Sequence, residues 1–140
     1  SETMFNFIVD NMVSHTVNIT EKNMKSFLQK PLLNKVLIFH DEAYLNKPAS
    51  QKKNNEVEFE RLIKGMSNIF YDRILIGEVY NNTIAEKYGV TSFPGMVVLE
   101  NNFFRWEKPS SLKVNKALTG RNMFDVLEKY SLKEKLYLRR

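Results

Sequence analysis

Cysteine is absent from all 140 residues. That absence removes disulfides, thiolate metal sites and thiol nucleophiles together. It leaves the compartment open, because oxidising lumens also hold cysteine-free domains. Histidine is scarce: His15 and His40 are the only two, 25 positions apart, and a metal centre would want them gathered with carboxylates. No glycine-rich cradle accompanies Lys52 and Lys53, so they read as a solvated loop rather than a phosphate clamp. No apolar run approaches the roughly 20 residues of a spanning helix, so membrane attachment is expected only through parts outside this chain. Ser1–Asp10 does not read as a secretory leader, and the start resembles the edge of a longer protein.

Hydrophobic residues are abundant at 43% and aromatics reach 12%, which fits one globular domain with a real core. The formal charge is +5, carried by scattered lysines and arginines with local clusters at Lys52–Lys53 and Lys133–Arg140. Nucleic-acid binding would want a basic stripe interleaved with aromatics or a known module. Neither is present, so a solvated basic face is expected and no nucleic-acid partner. Asn18 and Asn81 each begin an Asn-x-Thr triplet, a pattern too common to fix a location.

The chain divides into short elements. Ser1–Met12 is a mixed N-terminal extension without a clean period. Val13–Ile19 reads as a strand, and Thr20 caps a helix with Met24, Phe27 and Leu28 on its inner side, stopped by Pro31. Lys35–Phe39 is a continuous apolar run, the mark of a central strand covered on both faces. His40–Gln51 is a polar loop. Glu56–Phe70 carries Phe59, Leu62, Ile63, Met66 and Phe70 at helical spacing. Ile74–Val79 is a second buried strand. Asn82 or Thr83 caps the next helix, and Gly89 supplies its left-handed stop. Gly95–Leu99 is a third strand, Asn101-Asn102 a turn, and Phe103–Glu107 a fourth strand, at an edge. Lys108–Thr119 reads as irregular, and Asn122 caps a last helix with Met123, Val126, Leu127 and Tyr130 inside. The tail Leu132–Arg140 alternates apolar and basic residues and suits a link to a further domain. Strands alternating with helices require right-handed parallel crossovers, and the closing hairpin adds antiparallel strands. The expectation is a single α/β domain with a mixed central sheet and helices on both faces.

That order resembles a thioredoxin-like fold over roughly Val13 to Tyr130. Lys35-Val-Leu-Ile-Phe-His40 stands where thioredoxins place the strand leading to their active site. Ile84-Ala-Glu-Lys-Tyr-Gly-Val-Thr-Ser-Phe-Pro94 resembles their helix and approach to a cis-proline. The stretch from Phe5 through Leu37 is similar to the thioredoxin-like domains of J-domain co-chaperones and to the non-catalytic domains of protein disulfide isomerases. The resemblance implies residence in the endoplasmic reticulum and work on unfolded client polypeptides, with the Hsp70 system reached through a separate J-domain.

The departures carry the functional reading. The family's redox motif falls near Asp41–Lys47, where Tyr44 and Lys47 stand close to its two cysteine positions. Its buried acidic proton acceptor is replaced by Ile38. Thiol–disulfide exchange needs a thiolate, so no intrinsic oxidoreductase activity, no catalytic residue and no cofactor is expected. Phe93 replaces the usual hydroxyl residue beside the proline, and Gly95 follows it. In catalytic relatives the backbone before this proline pairs with substrate as an added strand, which requires no cysteine. The expected client-binding surface therefore joins Asp41, Tyr44, Phe93 and Pro94. His40, Asp41 and Glu42 read as polar loop residues with capping duties, because no nucleophile stands beside them. Two other functions stay open: a glutathione-using enzyme of this fold, and a structural spacer.

Overall fold

In the computed structural model, residues 11–101 and 110–133 are described. Five strands form one sheet: β1 (Val17–Ile19), β2 (Lys35–Phe39), β3 (Leu75–Val79), β4 (Gly95–Glu100) and β5 (Ser110–Lys113). Their lateral order is β1-β3-β2-β4-β5. β1 and β2 flank β3 in parallel. β4 runs antiparallel to β2, with Phe39 opposite Gly95, and β5 runs antiparallel to β4. Among the described residues the α-helices are α1 (Met24–Gln29), α2 (Asn54–Ile69), α3 (Asn82–Lys87) and α4 (Gly120–Tyr130).

Strand alternation sorts the core into two layers, because successive side chains leave opposite faces of a strand. Val36, Ile38, Ile76, Met96 and Val98 meet Ile63, Met66 and Phe70 from α2 and its end, and Met123 and Leu127 from α4. Leu37, Phe39, Val79, Val97 and Leu99 meet Phe27 of α1 and Ile84 and Ala85 of α3. All five residues of β2 are buried, Lys35 included. The Lys35 ammonium donates to the carbonyls of Lys30 and Leu33 and to Asn101 Oδ1. Burial lowers its pKa, and the nearby Lys30 charge adds to that. Asn34 binds the Tyr130 carbonyl and the Asn101 amide, tying β2, β4 and α4 together.

Several boundaries differ from the sequence expectation. The first strand is three residues long, and α1 begins after a turn in which Thr20 and Asn23 bond each other. Asn81, not Asn82 or Thr83, caps α3 by accepting from the Thr83 and Ile84 amides. Thr119, not Asn122, caps α4: its side chain accepts the Asn122 amide. Gly89 holds the expected left-handed conformation, with φ 73°. The polar loop after β2 contains two 3-10 turns, Glu42–Asn46 and Ala49–Gln51. The segment read as irregular contains β5, whose four residues are all exposed. Its polar Ser-Ser-Leu-Lys sequence carries no apolar alternation, which is why the strand signal was missing. The strand expected at Phe103–Glu107, the Asn101-Asn102 turn, most of the N-terminal extension and most of the basic tail fall partly or wholly outside the described residues.

Candidate functional site

The parallel strands β2 and β3 end side by side, and the chain leaves β2 through His40. Alternation continues past the strand end: Val36, Ile38 and His40 share the α2 face, as do Ile76, Glu78 and Tyr80. His40 is thus drawn inward, only 6% exposed. Its backbone N–H donates to the Val79 carbonyl. Its Nε2 lies 3.0 Å from Glu78 Oε1, and Thr16 Oγ1 donates to Glu78 Oε2 at 2.6 Å. A carboxylate has no proton to give, so Nε2 is the donor. The imidazole stacks on Tyr80 with ring centres 4.4 Å apart and planes 11° apart, and Phe59 meets it edge-on. The loop reading of His40 is corrected: it is a buried residue paired with a carboxylate.

The loop following His40 is fastened over this cluster. Asp41 is exposed and caps the first 3-10 turn by accepting the Ala43 amide. Tyr44 stacks toward His40 and Tyr80, and its hydroxyl donates to Glu60 of α2. Lys52 also binds Glu60, at 2.8 Å, and its ammonium sits 5.0 Å from the Tyr44 ring centre. Lys47 pairs with Glu56 at 2.9 Å. Two charged contacts and one phenol contact therefore hold residues 41–53 against the first turns of α2.

These contacts set the protonation states. Burial opposes charge on Glu78, yet the hydrogen bonds from His40 and Thr16 outweigh it and hold the carboxyl below its usual range. Glu60 follows the same balance: burial raises it, and Lys52 and Tyr44 bring it down further. Lys47 lowers Glu56. Burial and then the Glu60 hydrogen bond push the Tyr44 phenol well above its ordinary value. Tyr80 is pushed up to about 12, first by burial and then by Glu78 and Glu60. Near neutral pH the site thus holds ionised carboxylates and un-ionised phenols.

The arrangement limits what chemistry is available. A nucleophile–histidine–acid relay needs the imidazole between the hydroxyl and the carboxylate. Here Glu78 stands in the middle, so His40 has no line to the Thr16 proton. Tyr44 stays protonated and is no nucleophile. Among the described residues no group of three histidines or carboxylates converges to hold a metal ion. A cleft of about 340 Å³ opens beside the cluster, lined by Ser14, Val57, Glu60, Arg61, Glu78 and Tyr80 among others. No helix among the described residues is long and apolar enough to cross a membrane.

The four residues expected to form a client surface are divided by the sheet. Phe39 pairs with Gly95 across β2 and β4, so Asp41 and the Phe93-Pro94 pair lie at the same end of neighbouring strands. The Phe93–Pro94 peptide bond is cis, and Pro94 is exposed. Phe93 is half-buried against the α1–α3 layer. Tyr44 instead faces α2, on the other layer. Among the described residues, the backbone groups of Thr91, Ser92 and Phe93 enter no hydrogen bond. Leu45, in the Glu42–Asn46 turn that follows β2, is 60% exposed. Sequence reasoning missed Glu78, Glu60 and Thr16. The available signal was the period-two pattern running on from Ile76 to Glu78 and Tyr80, beside the same pattern from Ile38 to His40.

Comparison with known proteins returns fold and little else. No family model matches the chain, and no curated protein does. Among solved structures, full-length ERdj5 superposes over 91% of this chain with a TM-score of 0.66 at 8% identity. This chain spans only 17% of that protein. The Trx4 domain of ERdj5 superposes over 84% of this chain and 96% of its own length, with a TM-score of 0.62 at 9% identity. Chloroplastic thioredoxin z gives a TM-score of 0.59 at 9% identity, over 86% of this chain and 97% of its own. The fold is thioredoxin-like, and the Cys-x-x-Cys motif is missing, since the chain holds no cysteine.

Proposed function

We propose that this thioredoxin-like domain, unable to exchange disulfides through side chains of its own, binds extended polypeptide as one module of an endoplasmic-reticulum chaperone or disulfide-isomerase-like protein. The carrying observation is the run Thr91–Phe93, whose backbone donors and acceptors are unpaired among the described residues at the end of β4. An extended chain adds to such a run through main-chain hydrogen bonds and takes specificity from neighbouring side chains. Phe93 and exposed Leu45 supply apolar contact, and Asp41 shapes the turn opposite. Tyr44 contributes from beneath by holding that turn to α2. Clients are unfolded polypeptides, and the Hsp70 system is reached through a separate J-domain of a longer chain. The superposition on ERdj5 domains supports this setting.

Titration of the ¹⁵N-labelled domain with an unfolded, cysteine-free peptide tests the reading. Amide shifts concentrated at Thr91, Ser92 and Phe93 and in the Asp41–Lys47 turn are expected. A saturating titration that leaves those signals unmoved removes the client-binding proposal. Immunofluorescence of the natural full-length protein against a lumenal marker tests the compartment separately.

A further inference from the structure

We propose that Asn18 is an N-glycan acceptor. This rests on the compartment reading above for opportunity only, because the acceptor chemistry belongs to the chain. Asn18-Ile19-Thr20 and Asn81-Asn82-Thr83 both have the required triplet, and the folded domain treats them differently.

Asn18 lies on β1, which among the described residues pairs only with β3 and stands at one edge of the sheet. Ile19 turns into the α1–α3 layer, and alternation sends Asn18 to the other face, where it is exposed. Its carboxamide makes no hydrogen bond among the described residues; its backbone carbonyl accepts from the Asn23 side chain. Thr20 is exposed as well. Asn81, by contrast, is half-buried, and its Oδ1 accepts the Thr83 and Ile84 amides in the first turn of α3. Its neighbour Asn82 accepts the Glu42 amide. A glycan there would crowd the junction between α3 and the Glu42–Asn46 turn.

In the transfer, Asn18 Nδ2 attacks C1 of the first sugar of a lipid-diphosphate-linked oligosaccharide. The C1–N bond forms as the C1–O bond to diphosphate breaks. The lipid diphosphate leaves with that electron pair, and one amide proton passes to the transferase. No oxidant or reductant is involved. The attached glycan would then screen β1, an outer strand of the kind that otherwise invites pairing with another chain.

The full chain, placed behind a cleavable secretory leader, is translated into glycosylating microsomes and digested with peptide N-glycosidase. With Asn81→Gln in place, one glycosidase-sensitive increment is expected, and adding Asn18→Gln or Thr20→Ala removes it. An Asn81→Gln chain without the increment overturns the proposal. The glycosylated Asn81→Gln chain should melt at the temperature of its unglycosylated form; a large fall overturns the edge-strand placement. The supplied leader makes these results independent of the natural compartment. A glycan accepted here but absent from the natural protein counts against the compartment and leaves the acceptor standing.

Discussion

His40 shows how one residue changes meaning when its neighbours are known. Beside Asp41 and Glu42 it looks like part of a polar loop. In the fold it is the buried donor to Glu78, wedged between Tyr80 and Phe59. Removing it leaves a partly buried carboxylate short of a partner, the costly half of any broken polar pair. His40→Ala should therefore lower stability by about 2 kcal/mol, read from urea unfolding at pH 7. Thr16→Val should cost less, since Glu78 keeps its hydrogen bond to the more deeply buried His40. Equal losses for the two variants would show that His40 is not the main support of Glu78. Lys35 makes the same point from inside β2, where a cation sits in an otherwise apolar strand because three oxygens surround it.

At the scale of elements, local signals located most helices and strands, and their ends were settled by contacts. The helical spacing read over Glu56–Phe70 marked α2, which in the fold runs Asn54–Ile69. α3 has only six, too short to hold without its cap and its packing. Asn81→Ala removes the cap from two amides and should cost about 1 kcal/mol, measured by thermal or chemical unfolding. β3 raises a different constraint. A methyl group on Gly77 would stand 2.7 Å from Ile19 Cγ1 and 3.1 Å from Leu37 Cδ2. Gly77→Ala should cost about 1–3 kcal/mol by overpacking, and hydrogen exchange should show the loss spreading into β1. Unchanged protection of the Val17–Ile19 amides would show that this edge strand does not depend on that close approach. β5 could not be read from its residues, because an exposed polar strand has no buried face to leave an apolar pattern.

For the whole molecule, the grouped carboxylates predict a response to acid. Glu78, Glu60 and Glu56 all have folded-state pKa values below the ordinary 4.5. A group so depressed favours the folded state above its unfolded pKa, and that contribution disappears as pH falls through the folded value. Stability should therefore be level near neutrality with respect to these groups and decline below about pH 4.5. Urea midpoints collected from pH 7 down to pH 3 test this, and Glu78→Gln should flatten the acid limb. An unaltered limb in that variant would mean that Glu78 does not contribute to it. Two of these carboxylates, Glu60 and Glu56, fasten the turn opposite Thr91–Phe93 to α2, so acid should loosen the proposed client surface before the core.

Composition and periodicity by themselves determined that this chain alternates strands and helices around a buried central strand, and that it brings no thiol of its own to any reaction. Those are properties of residue type and local spacing, and they survive without knowing what touches what. The joining of Thr16, His40, Glu78 and Tyr80, the clamp of Tyr44 and Lys52 on Glu60, and the division of Tyr44 from Phe93 were decided only by tertiary structure. Residues 62 positions apart, such as Thr16 and Glu78, meet because the parallel crossover lays β1 beside β3, and no local pattern encodes that adjacency.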